Sequence, residues 1–173
     1  MDLLGRVYAR LHLTANEAKS AVGSVFGRKF LGYSLWASAK GEVKRKVVAK
    51  PMAMFKQRIR QLSSRSGGRS LQAVVQRLRP HMMGLKAYFG LAQTPSVWRA
   101  LDEWLRHRLR ATQFKQWKPG TTMYRELRAL ETPQGVAGRV AANSRRWRRN
   151  SGKLPNSVLS IDHFDRLGLP RLS

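Results

Sequence analysis

A chain of 173 residues, 42% of them hydrophobic, can bury one modest core, enough for a small globular body. Its 34 Lys and Arg against 9 Asp and Glu give a formal net charge of +25, a self-repulsion that a polyanion relieves, so nucleic acid is the expected partner. With 0 Cys there is no disulfide framework, thiolate zinc site or cysteine nucleophile, and without a run of about 18 apolar residues there is no membrane-spanning helix.

In chain order, Met1-Asp2 does not begin a basic-then-apolar leader. The basic residues run along the whole chain rather than along one face of a terminal helix, so a cytoplasmic protein with no membrane partner is expected. Leu3, Leu4, Val7, Tyr8 and Leu11 form one apolar stripe of a short helix that Asp2 is placed to cap. Phe30-Leu31-Gly32-Tyr33-Ser34-Leu35-Trp36, then Ser38-Ala39-Lys40-Gly41, then Val43 to Val48 with Lys44, Arg45 and Lys46, read as a β-hairpin with a basic second strand. Those charges serve either as direct contacts to a ligand or as guards of an edge strand against aggregation.

Pro51 suits the first turn of a helix carrying Met52, Phe55, Ile59 and Leu62 on one face, with Lys56, Arg58 and Arg60 elsewhere; Ser63 to Gly68 breaks it. Ser70 caps a longer helix with Leu71, Val74, Val75, Leu78, Met82, Leu85 and Phe89 at helical spacing, and Pro80 inside it predicts a kink near Gln76. Thr94-Pro95 opens a third helix with the apolar line Trp98, Leu101, Leu105 and Leu109. Its acids Asp102 and Glu103 lie early and its cations late, as the helix dipole favours. Pro119-Gly120 ends it, and Thr121 or Thr122 caps a short helix holding Met123, Leu127 and Leu130. After Thr132-Pro133 the apolar periodicity fades into a basic tract rich in Arg, Ser and Gly, and there is no internal repeat. The fold class is therefore mainly α: an N-terminal helix and β-hairpin, a three-helix bundle, and a basic, partly irregular tail.

On the third helix Arg99, Arg106 and Arg110 are seven and four residues apart, a spacing that puts three guanidinium groups on one face opposite the leucine line. Lys115-Gln116-Trp117-Lys118 follows, an indole among cations, suited to stacking on an unpaired base while gripping phosphates, or else a Trp tucked into the core beside solvated charges. Arg145-Arg146-Trp147-Arg148-Arg149 poses the same pair of alternatives, and a localisation-type basic run is a third. Catalytic candidates are scarce: there is no Asp-Asp pair, His12, His81 and His107 stand apart, and Gly67-Gly68 is a linker rather than a phosphate cradle. Asp162-His163-Phe164-Asp165 could hold a cation, but a terminal segment docking Ile161, Phe164 and Leu167 explains its spacing as well. No catalytic residue, bound metal or cofactor is expected.

These residues resemble a known family. Arg79-Pro80 with Gly84 and Tyr88-Phe89 is similar to the "N-P-x-L-R-G-W-x-x-Y-F" thumb helix of the reverse transcriptase and maturase proteins encoded by group II introns. Leu101-Asp102-Glu103-Trp104-Leu105-Arg106-His107-Arg108-Leu109-Arg110, followed by Lys115-Gln116-Trp117-Lys118, resembles that family's "L-D-x-W-I-R-R-R-L-R … K-Q-W-K" signature, and Tyr124, Arg125, Leu127 and Leu130 resemble the segment after it. Asn16, Lys19-Ser20 and Phe30-Leu31-Gly32-Tyr33 are similar to the last blocks of the polymerase palm, and Trp147, Phe164 and Leu167-Gly168-Leu169 to the closing tract. Leu85, His107 and Ser20 depart from the family's usual Trp, Arg and Thr. The "Y-A-D-D" palm motif, the fingers and a His-Asn-His endonuclease have no counterpart in these residues.

The resemblance implies a palm remnant at residues 1–50, a maturase-specific thumb or X domain at 51–130 and a basic C-terminal tail at 131–173. It implies a non-polymerising protein that binds structured group II intron RNA and aids its folding and splicing. At a single-strand slope near 0.7 per contact, neutralising about six phosphates would lower affinity by roughly two to three orders of magnitude between 50 and 200 mM salt. The alternative is the rear half of a split reverse transcriptase that holds an RNA–DNA duplex with a separate palm fragment; composition alone also permits a ribosomal or nucleoid protein. The candidate RNA contacts are Arg99, Arg106, Arg108, Arg110, Lys115, Gln116, Trp117, Lys118, Arg125, Arg145, Arg146, Trp147, Arg148 and Arg149.

Overall fold

A computed structural model describes residues 2–14, 16, 23–64, 68–146 and 158–173. The expectations placed on Lys19, Ser20, Trp147, Arg148 and Arg149 lie outside those residues. Helix α1 (Asp2–Arg10) carries the expected stripe, and Leu3, Val7, Tyr8 and Leu11 of that stripe are exposed.

Three antiparallel strands follow in the order β1 (Lys29–Phe30), β2 (Tyr33–Ala37) and β3 (Val43–Val47). The basic hairpin is β2 with β3, in the register Tyr33↔Val47 to Ala37↔Val43. Strand β1, too short to show an alternation, is added by the Phe30↔Tyr33 pairing. That pairing leaves Leu31-Gly32 as a two-residue loop with φ of 48° and 80°, the doubly left-handed turn that matches strand twist. Gly32 is needed there twice over, because a Cβ would also stand 3.1 Å from the Phe89 ring. The sheet's β3 edge is closed by Gln93, whose side-chain oxygen accepts from the Arg45 N–H (3.2 Å) and whose own N–H donates to the Arg45 carbonyl (2.9 Å).

Helix α2 (Ala49–Leu62) begins with Pro51 in its first turn and buries Phe55 and Ile59. Helix α3 (Leu71–Tyr88) is capped by Ser70, which accepts from the Ala73 N–H at 3.2 Å, and buries Leu71, Val74, Val75, Leu78, Met82 and Leu85. It runs as one helix through Pro80; Pro80 and Gln76 are both exposed, so solvent can serve the carbonyl that the ring leaves unpaired. The sheet joins α3 through aromatic rings: Tyr33 lies edge-on to Phe89 at 5.3 Å, the Tyr33 hydroxyl donates to the Tyr88 carbonyl (2.8 Å), and the Tyr88 hydroxyl donates to the Leu31 carbonyl (3.2 Å).

Helix α4 (Pro95–Gln116) is the central element, with ten of its 22 residues buried. Thr94 sits at its N-cap, but the hydroxyl makes no capping bond. Helix α5 (Gly120–Ala129) starts at Gly120 with Pro119 as N-cap, so neither Thr121 nor Thr122 caps it. A Cβ on Gly120 would lie 3.0 Å from the Ala141 carbonyl of helix α6 (Gln134–Ala142), so this glycine permits a close helix crossing, while α4 already ends at Gln116.

The basic tail is folded at both described ends. Helix α6 buries Ala137, Val140 and Ala141, small residues whose periodicity is weak on hydrophobic grounds. After a 3₁₀ turn at Ser144–Arg146, the C-terminal segment returns with Leu159, Phe164, Leu169 and Leu172 in the core, Phe164 coming from helix α7 (Ile161–Arg166). Gly168, at φ 84°, ends α7 with its N–H on the Asp165 carbonyl while the Leu169 N–H reaches the Phe164 carbonyl.

Candidate nucleic-acid interface

The cationic stripe expected on α4 is not a stripe. Arg99 is exposed, but Arg106 and Arg110 are only 8% and 6% exposed. Arg106 lies 3.9 Å from the Asp102 carboxylate one turn earlier. Arg110 donates from Nε to the Leu159 carbonyl (2.9 Å) and lies over the Phe164 ring at 5.7 Å. Burial lowers the Arg110 pKa below its ordinary value, and repulsion from Arg106 adds to this while Glu103 opposes it. The physical reason is coverage: the face opposite the leucine line is occupied by the C-terminal segment, which arrives from some fifty residues further along the chain.

Arg108 also turns inward. Its Nε donates to the Ser63 hydroxyl at 2.6 Å and a terminal nitrogen donates to the Arg60 carbonyl at 3.0 Å, closing the C-terminus of α2. The Lys115 to Lys118 stretch is divided. Trp117 is half-buried against the core, 5.9 Å from the Phe114 ring; Lys115 is half-buried; Gln116 and Lys118 are exposed, and the Gln116 amide donates to the Arg69 carbonyl. Arg125 is exposed and paired with Glu126 at 3.1 Å, Arg145 is exposed, and Arg146 closes the 3₁₀ turn.

Spacing alone does not single out a second grouping. Lys56 and Arg60, one turn apart on α2, lie 5.4 and 5.5 Å from the Trp104 ring centre on α4, so one indole carries two cations. Their i, i+4 relation is the available signal; their meeting with Trp104 depends on how α2 crosses α4. The carboxylates of Asp162 and Asp165 do meet a cation, and it is Arg171, 3.6 Å from Asp162 and doubly bonded to Asp165. These bonds raise the Arg171 pKa, with the hydrogen bond to Asp165 as the largest cause.

A small cleft opens beside Trp117, walled by the ends of α4 and α5, the start of α3 and helix α7, with a volume of about 270 Å³. Gln113, Gln116 and His163 line it, and the side-chain oxygen of Gln113 is buried with no hydrogen-bond partner among the described residues. Burial and then the charge of Arg166 lower the His163 pKa.

Helices α2 to α5 are therefore one packed unit that turns three arginines inward and displays most of its other cations. Residues 52–130, which cover it apart from the first three residues of α2, match the family model described as group II intron, maturase-specific domain. This segment is similar to a group II intron maturase-specific domain. The likeness read from Tyr88-Phe89, Leu101 to Arg110 and Lys115 to Lys118 thus holds within the matched residues. No curated protein matches the chain. The sheet and the C-terminal segment lie outside the match, yet both pack on the matched segment, the sheet through Phe89 and the C-terminal segment through Asp102. No helix among the described residues is long and apolar enough to cross a membrane.

Proposed function

We propose that the chain binds group II intron RNA through the exposed cations of its maturase-specific domain and helps that RNA fold for splicing, with the RNA itself supplying the chemistry. The observation that carries this is the joining of Lys56 and Arg60 on the Trp104 ring, within a segment holding 16 Lys and Arg against 3 Asp and Glu. Two cations fixed on a rigid aromatic plate lose little freedom when they meet phosphates, and no carboxylate among the described residues pairs with them. Specificity then rests on RNA shape. The 173 residues carry no Asp-Asp palm motif, and polymerisation is not assigned to the chain alone.

Filter binding tests this with folded intron RNA against random duplex, using the wild type and Lys56→Ala combined with Arg60→Ala. The intron RNA should bind more tightly, and the double variant should flatten the salt dependence by about 0.7 to 0.9 in slope for each phosphate it no longer neutralises. Equal affinity for the two RNAs, with no effect of the double variant, would remove the proposal.

A second reading is favoured by the sheet. A groove of about 740 Å³ is lined by Val25, Phe30, Leu31, Tyr88 and Leu91, and Phe30 is 76% exposed. Such an uncovered apolar face suits a chain that completes a reverse transcriptase with a separate palm fragment and closes on an RNA–DNA duplex. Mixing the chain with a fingers and palm fragment should then restore primer extension; no extension would exclude it.

A further inference from the structure

The cleft beside Trp117 has features that phosphate binding does not need. Its floor is apolar, formed in part by Leu71, Leu130 and Leu167, and its polar groups are neutral amides, an imidazole with a depressed pKa and the Ser70 hydroxyl that caps α3, apart from Glu126, which Arg125 already pairs. The Gln113 side-chain oxygen is a buried acceptor without a donor among the described residues. A protein retains an unsatisfied buried acceptor at a cost, and a ligand that brings a donor removes that cost. The volume, about 270 Å³, equals roughly nine waters at about 30 Å³ each, room for one heterocycle and not for a helix. Cations neighbour the lining residues in sequence: Arg69 before Ser70, Lys115 and Lys118 around Gln116-Trp117, and Arg166 before Leu167.

We propose that this cleft receives one unpaired RNA base bearing an exocyclic amine, which lies along Trp117 and donates its amine to the Gln113 side-chain oxygen, while the rim cations hold the flanking phosphates. Aromatic walls accept any base, so the indole supplies affinity; the acceptor supplies discrimination, because a base without the amine leaves it unpaired. The site rests on the RNA-binding reading given above and adds to it a single-stranded contact, separate from the Lys56, Arg60 and Trp104 plate.

The test compares two short single-stranded RNAs of equal length, oligoadenylate and oligo(purine riboside), which share backbone and stacking surface and differ in the amine. Fluorescence anisotropy with the full chain should show oligoadenylate bound about five- to tenfold more tightly. Gln113→Leu, which fills the space without an acceptor, should weaken oligoadenylate to the level of the purine control and leave that control unchanged. Circular dichroism and thermal melting of this variant should match or exceed the wild type, since the substitution removes an unsatisfied buried group. Equal binding of the two oligomers by the wild type, with folded intron RNA still bound, overturns the base site alone. A preference that survives in folded Gln113→Leu does the same. Failure of every RNA to bind overturns both this site and the RNA-binding reading beneath it.

Discussion

The carboxylate of Asp102 accepts the backbone N–H of Leu172 with both oxygens, at 3.2 and 3.1 Å, which ties α4 to a residue seventy positions later. The Ser173 N–H (3.0 Å) and hydroxyl (2.9 Å) add to the same carboxylate, and Arg106 stands 3.9 Å away. At 2% exposure Asp102 would be costly without these donors, so it is the group that fixes where the C-terminal segment lies on the helical body.

Asp102→Ala should therefore destabilise the protein by about 3 to 5 kcal/mol, because it strands the Arg106 charge as well as the two N–H groups. Asp102→Asn, which keeps an acceptor and loses the charge, should cost less. Urea unfolding measures both, and hydrogen exchange at Leu172 should accelerate first. A loss below about 1 kcal/mol for Asp102→Ala would show that this carboxylate is not the anchor.

Arg108 is expected to act as a cap and not as an RNA contact. Removing a charged donor from the Ser63 hydroxyl and the Arg60 carbonyl should cost about 1.5 to 3 kcal/mol in Arg108→Ala. Arg108→Lys should recover little, since an ammonium on a flexible stem does not reproduce the planar fork. RNA affinity, measured well below the melting temperature, should stay close to wild type in both variants; a large selective loss of affinity would return Arg108 to the interface.

The contrast between Ser70 and Arg106 shows what a sequence discloses. Ser70 and the α3 stripe are local: the cap reaches three residues ahead and the apolar spacing repeats within one helix, so both are readable. The orientation of Arg106 and Arg110 depends on Leu159, Phe164 and Leu172, and helical spacing says only that these arginines oppose the leucines. Whether that opposite face meets water or another segment is a tertiary fact. Helix α6 is hidden for a related reason, since it packs through Ala137 and Ala141 and so lacks the large side chains that make periodicity visible.

The Leu31-Gly32 turn gives a pair of opposed expectations. Gly32→Ala places a Cβ at φ 80° and 3.1 Å from the Phe89 ring, and should cost about 1 to 2 kcal/mol. Leu31→Asn, at φ 48°, puts a residue tolerant of left-handed backbone where a branched apolar side chain is strained and largely exposed, and should gain up to about 1 kcal/mol. Thermal melts of the two variants should move in opposite directions. A neutral Gly32→Ala would mean that the sheet is not held against Phe89.

His163 makes the packing of α7 sensitive to acid. Its ring stands edge-on to Phe164 at 5.6 Å, and burial first, then Arg166, lowers its pKa below the ordinary 6.5. The unfolded chain takes up a proton on this group near the ordinary value, the folded chain only at lower pH. Between those two points the unfolded state binds more protons, so stability is fully present above the ordinary value and declines as pH falls toward the folded pKa. Melting temperature should thus drop between about pH 7.5 and about pH 5.5, a window above the carboxylate range. His163→Asn should flatten part of that slope relative to wild type. Parallel slopes for the two proteins would mean that protonation of His163 leaves α7 undisturbed, and that its seat against the α4 end tolerates a charge.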